Sequence, residues 1–393
     1  MLPLLTGIDR LIAEPKRYLP GMRVGLVVNQ TSRTATGEYA IDAIRRLPDL
    51  QLKRLFAPEH GLYGVDQDMI SVDDDVDPST QLRVISLYGQ EESSLAPRIE
   101  DLKDLDCLIF DIQDIGSRYY TFIYTMAYCM ERCGEAGIPI IVCDRPNPIN
   151  GVDVEGNRVG DAWRSFVGRY PIANRHGMTA GELARLFNKE FNIQCDLTVI
   201  SMSQWKREHW FDQTGLAWTP PSPNMPTLST ATVYPGMCML EGTNLSEGRG
   251  TTLPFEQIGA PFIDAHKLAK ALQSLRLSEV YFRPHYFKPM FQKWSGQVCG
   301  GVQIHVMDRK RFAPLATGLG IIHVIRNLYE SKFSWRTEAY EFVSDRLAID
   351  LLYGNDQFRT RWIKEAFDLE AMRNSWREES DAFLELRKNH LLY

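Results

Sequence analysis

The chain lacks any apolar run near the ~20 residues that a helix needs to cross a bilayer, so no membrane span is expected among its 393 residues. It also lacks a basic excess. The net charge is −6, whereas a broad nucleic-acid face needs the opposite sign, so no nucleic-acid partner is expected. No basic stretch precedes the short apolar start of "MLPLLTGIDRLIAEPKRYLPG", and a secretory signal is therefore not read there. As written the chain reads as cytoplasmic; it would be secreted or periplasmic only if a signal had been removed.

Several motifs are missing as well. No G-x-G-x-x-G follows the first strand-like run and no Walker A sequence occurs, which argues against a dinucleotide or nucleoside triphosphate site. No G-x-S-x-G elbow occurs, which argues against an α/β-hydrolase serine. Cys129 and Cys133 stand four apart on a predicted helix, but no second Cys/His pair at zinc spacing accompanies them. Neither a metal nor an organic cofactor is expected. The seven cysteines are odd in number and several lie in apolar runs, so they read as small buried thiols.

What is present is an ordinary globular composition, 44% hydrophobic and 24% charged. The length suggests two unequal domains. In the first half, short β-rich runs alternate with helical patterns. The runs are "RVGLVV" (23–28), "QLKRLF" (51–56), "RVISLY" (83–88), "DCLIFD" (106–111), "IPIIVC" (138–143) and "LTVIS" (197–201). Helices are expected near 36–47, 91–104, 118–136 and 179–190, the last opened by a Thr179–Glu182 capping box. This alternation implies an α/β fold, a Rossmann-like parallel sheet with helices on both faces. The runs are nearly continuous in apolar residues, as strands buried on both sides require.

We therefore divide the chain into a Rossmann-like domain over 1–205, a loop-rich cleft-forming segment over 206–262 and a smaller α/β domain over 263–393. The middle segment shows no strand or helix periodicity. Its Trp218, Met225, Tyr234 and Leu240 predict ordered loops packed on something. In the last segment we expect a helix over 264–275, a strand over 298–306 and helices over 311–330 and 336–348.

In open parallel sheets, ligands bind outside the carboxyl ends of the strands. Those ends release "NQTS" (from Asn29), "APEHG" (Glu59 and His60), "GQEE", "DIQDIGSRYY" (Asp111, Asp114, Arg118, Tyr120) and "DRPNP" (Arg145 and Asn147). The opposite connections are plain. Taken singly, Glu59 and His60 read as turn residues, Asp111 and Asp114 as strand-end or capping residues, and the acidic run 73–78 as a solvated loop. One Asp or Asn per turn is ordinary; Glu-His, Asp-x-x-Asp and Asp-Arg-Pro-Asn on one rim favour a site. His176 precedes a helix that Thr179 already caps, and Glu247 and Arg249 lie between glycines in "NLSEGRG". Carboxylates, arginines, amides and aromatics together suit a sugar with an acidic substituent.

The motifs "PEHG", "FDIQDIGSRYYTF", "DRPNP", "RHGMTAGELA", "PPSPNMPT" and "EGTNLSEGRGTT" occur here in this order. In them the chain resembles the DUF1343 family, exo-β-N-acetylmuramidases of the NamZ type, from about residue 7 to the C-terminus. It departs at "NQTS", where many relatives end on glycine, and in showing no signal where characterised relatives tend to be exported. The resemblance implies a cleft between two domains. It also implies release of N-acetylmuramic acid from the non-reducing end of peptidoglycan fragments, so disaccharides or muropeptides are the implied partners.

On this reading Glu59 is the leading catalytic carboxylate, expected to be the general acid, with His60 tuning it. Asp111, Asp114 or Glu247 would be the second carboxylate, unless the substrate's own acetamido group participates. Arg118, Arg145 or Arg249 would hold the lactyl carboxylate. Asn147, His176 and Asn224 would meet sugar hydroxyls, and Asn29, Asp114 and Tyr120 complete the substrate-binding set. Two alternatives stay open: a metal-dependent hydrolase with Glu59, His60, Asp111 and Asp114 as ligands, and a non-catalytic muropeptide-binding protein. Stereochemical course depends on carboxyl separation, which a sequence does not carry.

Overall fold

The unalternating apolar runs become strands of one sheet, because both faces of that sheet are covered. The computed structural model describes residues 4–19, 21, 23–363 and 368–393. Its first half contains β1 (Arg23–Val28), β2 (Gln51–Ala57), β3 (Asp75–Val76), β4 (Arg83–Ser86), β5 (Cys107–Asp111), β6 (Ile140–Cys143), β7 (Glu155–Arg158), β8 (Ala173–Arg175) and β9 (Leu197–Ile200). Seven of these form a sheet in the order β3-β4-β2-β1-β5-β6-β9. All neighbours in it are parallel except β3, an antiparallel edge. β7 and β8 pair separately.

Alternate residues of β1 point to opposite faces. Val24, Leu26 and Val28 pack with Ile8, Leu11, Ile41 and Ile44 of the helices Gly7–Ala13 and Ala40–Arg45. Val27 packs on the other side, in the core shared with the helices Phe122–Ala136 and Ala180–Glu190. The chain leaves β1 toward β2 and later returns to β5 on its opposite flank. The carboxyl ends of β1 and β5 are thus the point where strand order reverses.

The second half builds a three-stranded antiparallel sheet from β10 (Gln257–Ala260), β11 (Val280–Phe287) and β12 (Cys299–Val306), in the order β10-β12-β11. The helix Ala265–Leu272 packs on it and against the helix Pro314–Leu328. No described helix is long and apolar enough to cross a membrane. All seven cysteines are buried and unbridged.

The two halves meet where the helix Leu228–Met237 crosses Pro314–Leu328. Contact is backbone to backbone: a Cβ on Gly236 would lie 1.7 Å from the Pro314 carbonyl oxygen. Gly236→Ala is therefore expected to push the two helices apart and cost about 1–3 kcal/mol. A urea midpoint that falls at unchanged slope checks this; an unchanged midpoint contradicts it.

Four sequence expectations change. The helix expected over 91–104 is two 3-10 turns, Glu92–Leu95 and Ile99–Asp101. Pro97 interrupts it, and the Ser94 hydroxyl bonds the Glu91 carbonyl that a helix would use. The segment over 228–237, expected as loop, is a helix capped by the Thr227 side chain. It is buried on all sides from Thr230 to Met237, so it carries no amphipathic period. The acidic run is an edge strand at Asp75–Val76, and its Asp77 is buried, accepting from Ser79 and Thr80. The helix expected over 336–348 is a turn; helix begins only at Ala348. As expected, Met225, Tyr234 and Leu240 are buried, with Trp218 packed against that core.

Candidate active site

β2 ends at Ala57, and the chain must turn before it can cross the sheet rim. His60 and Gly61 both adopt left-handed backbone, with φ of +73° and +76°. This turn aims Glu59 at the head of the helix Phe122–Ala136. Thr121 precedes that helix but does not cap it with its side chain. Its hydroxyl instead donates to Glu59 Oε2 at 2.9 Å, and the Met69 backbone N–H donates to Oε1 at 3.3 Å. Glu59 is 6% exposed.

His60 Nδ1 lies 2.8 Å from the Asp66 carbonyl oxygen. A carbonyl only accepts, so Nδ1 carries the hydrogen. Both residues line an enclosed cavity with Asp68, Tyr120, Thr121, Asn224, Glu241, Arg249, Tyr340 and Glu341. Its walls come from both halves of the chain.

Arg249 organises the charge. It donates to Asp68 at 3.1 Å and to Glu241 at 2.8 Å, and its Nε stands 3.5 Å from Glu247. Phe255 backs it at 5.0 Å. Burial works to raise Glu241, but Arg249 and the Tyr340 hydroxyl overcome it and hold this carboxyl below its usual range. Asp68 goes the other way: burial raises it more than Arg249 lowers it. Asp68 also accepts from Gln292 at 3.0 Å, a contact that bridges the loop after Glu59 to the second half. Glu247 is held at 3.0 Å by Lys293, behind Arg249. Asn224 donates to Gln67 at 2.8 Å, and Tyr120 meets Tyr234 and Phe122 edge-on.

The other candidates lie elsewhere. Asp111 and Arg145 form a buried bidentate pair at 2.6 and 2.7 Å, and Arg145 also donates to the Arg33 carbonyl. Burial raises Asp111, and Arg145 opposes that rise. This pair closes the point where strand order reverses. Asn29 spends its Oδ1 on the Thr31 N–H and hydroxyl. Asp114 accepts from the Gly116 N–H and stands 3.3 Å from His176 Nε2. Asn147 donates to the Met178 carbonyl and accepts from the Ile149 N–H. Gly116 is required at this turn: its φ is +85°, and a Cβ would lie 2.6 Å from Asn147 Oδ1.

Arg118 is fully buried and does not reach the cavity. It donates to the carbonyls of Asn157, Ile172, Leu352 and Tyr353 at 2.7–3.0 Å. Burial lowers its pKa. The structure thus brings together Glu59, His60, Tyr120, Asn224 and Arg249, with Glu247 behind them, and not the quartet Glu59, His60, Asp111 and Asp114. Among the described residues no group of three or more His, Cys, Asp or Glu side chains is placed to hold a metal ion.

Sequence reasoning missed Asp68, Glu241 and Glu341. Glu241 heads the motif "EGTNLSEGRGTT" and could have been found there. The other two carry no local signal. A larger hollow borders Glu155, Arg276, His323 and Arg373, but none of its carboxylates comes from the carboxyl end of a strand of the seven-stranded sheet.

Fold and cavity together define a class, a two-domain α/β protein with a carboxylate-lined cavity, and glycosidases act through carboxylates. Comparison with known proteins narrows the class. Residues 24–229 match the N-terminal and residues 232–393 the C-terminal family model of exo-β-N-acetylmuramidase NamZ. The chain belongs to the NamZ family. It is 46% identical over 388 residues to peptidoglycan β-N-acetylmuramidase NamZ of Bacillus subtilis (strain 168), covering 99% of this chain and 91% of that one. A solved DUF1343 family protein of Bacteroides fragilis NCTC 9343 superposes with a TM-score of 0.88 at 35% identity, covering both chains completely. A second from that organism gives 0.75 at 26%, covering 100% of this chain and 99% of its own.

Proposed function

We propose that this protein is an exo-β-N-acetylmuramidase that hydrolyses the glycosidic bond of N-acetylmuramic acid at the non-reducing end of peptidoglycan fragments. The observation that carries this is the setting of Glu59. It is a buried carboxylate on a helix N-terminus, facing other carboxylates across a cavity, in a chain that matches a muramidase family over nearly its whole length. Glu59 acts at the reacting bond. Arg249 is the cation in the cavity wall and the candidate partner for the lactyl carboxylate, with Asp68 engaging one of its donors.

The cavity holds about 40 Å³ of free space, whereas small-molecule pockets run to about 300–1,000 Å³. A sugar therefore enters by parting contacts between the two walls, among them those of Asp68 with Gln292 and with Arg249.

The test compares two 4-nitrophenyl glycosides that differ only in the lactyl ether, an N-acetylmuraminide and an N-acetylglucosaminide. The first should be hydrolysed and the second spared by roughly tenfold or more, as expected for a lost charge-assisted contact. Hydrolysis of neither removes the glycosidase reading, and equal hydrolysis removes the carboxylate contact.

A further inference from the structure

The segment before Ala348 folds as a tight turn, and the turn has an evident use. Tyr340 and Val343 bond each other's backbone at 2.9 and 3.0 Å. The two residues between them are left-handed, with φ of +45° at Glu341 and +66° at Phe342. Neither is glycine, and such conformations persist only where the surroundings enforce them. The turn delivers the Glu341 side chain into the wall of the cavity that holds Glu59.

Glu341 is 6% exposed. Its one hydrogen-bond partner among the described residues is the Tyr88 hydroxyl, 2.9 Å from Oε2. The other cavity carboxylates are served differently. Glu59 receives a backbone N–H and a helix N-terminus, Asp68 receives Arg249 and Gln292, and Glu241 receives Arg249. A buried carboxyl with no cation and no N–H is cheapest to keep in its neutral form.

We propose that Glu341 is the proton donor of this site: as a neutral carboxylic acid it protonates the leaving glycosidic oxygen, while Glu59 stays ionised and faces the positive charge that develops at the anomeric carbon. As the C1–O bond breaks, its electron pair remains on the leaving oxygen and takes up the Glu341 proton. Water supplies the hydroxyl that bonds C1, and the proton it loses restores the pair to one neutral and one charged carboxyl. This moves the acid role expected of Glu59 to a residue in the other half of the chain.

The surroundings push mostly one way. Glu341 faces Glu59 and His60 from the turn after β2, Asp68 from the next loop, and Tyr88 from the chain beyond β4. From the second half come Glu241, Arg249 and its neighbour Tyr340. Burial is the main force that raises this carboxyl, and the charges of Glu59, Glu241 and Asp68 add to it; the Tyr88 hydroxyl works against them. The net direction is well above the usual carboxylate range, which favours the protonated form. It is lost as pH rises through the raised value, which places Glu341 on the alkaline limb of the rate profile.

The proposal rests on the glycosidase reading, and the wild-type protein is the control that separates the two. Kinetics are measured on two muraminides, a disaccharide whose sugar leaving group needs a proton and a 4-nitrophenyl glycoside whose leaving group does not. Glu341→Gln should lose roughly 10²–10⁴-fold in kcat on the disaccharide, retain most of its rate on the aryl glycoside and lose the alkaline limb. Equal losses on both substrates, or no loss on the disaccharide, overturn it. Tyr88→Phe leaves the carboxyl in place but removes the bond that favours its charged form. This variant should move the alkaline limb to higher pH, and an unmoved limb also overturns the proposal. If the wild type releases sugar from neither substrate, the glycosidase reading fails and this inference falls with it.

Discussion

Glu59→Gln folds and takes up N-acetylmuramic acid, but kcat falls roughly 10³-fold or more. The exchange keeps the size of the side chain, and the Thr121 hydroxyl can still donate to the amide oxygen, so the turn after β2 keeps its shape. On the proposed reading, what disappears is the carboxylate that faces the reacting carbon. Its charge matters for every leaving group. The aryl glycoside and the disaccharide should therefore lose rate alike, in contrast to the split expected at Glu341. Calorimetry with free N-acetylmuramic acid checks binding, and melting curves check the fold. Turnover within tenfold of wild type would sink the assignment of Glu59.

The second large effect is on stability. Arg118→Leu should cost about 3 kcal/mol or more, because four buried carbonyl oxygens lose their donor at once. Two of those carbonyls, Leu352 and Tyr353, belong to the second half of the chain. The guanidinium is therefore a tie between the halves. Its burial without a carboxylate partner lowers its pKa, but nothing in the site draws on that. A urea midpoint that drops sharply is the expected result. An unchanged midpoint together with a raised KM would return Arg118 to the substrate.

Much of the fold could be read before the structure because its strands are buried on both sides. Each such run in the first half became a strand at nearly the expected place, and "TAGE" became the cap of Ala180–Glu190. Elements failed where local pattern and tertiary setting disagree. Helix Leu228–Met237 is buried all round and so has no stripe to detect. Pro97 broke a pattern that otherwise looked helical. The site was half visible for a related reason. Glu59, His60, Asn224 and Arg249 sit in distinctive loops, and reading strand ends led to the first two. The same rule also pointed to Asp111 and Arg145, which the fold spends on each other. Glu341 was invisible because its position depends on two left-handed residues in a stretch that looks helical, and no short-range signal announces that.

The backbone at His60 has a consequence for how variants there are read. A φ of +73° is a conformation that asparagine, aspartate and histidine hold more readily than other side chains, and that β-branched residues avoid. Alanine scanning at this position thus changes two things at once, the imidazole and the ease of the turn that carries Glu59. His60→Asn changes chiefly the first. The difference in rate between those two variants separates the chemistry of the ring from the geometry of the bend, and position 60 acts as a filter on backbone tolerance as well as on chemistry.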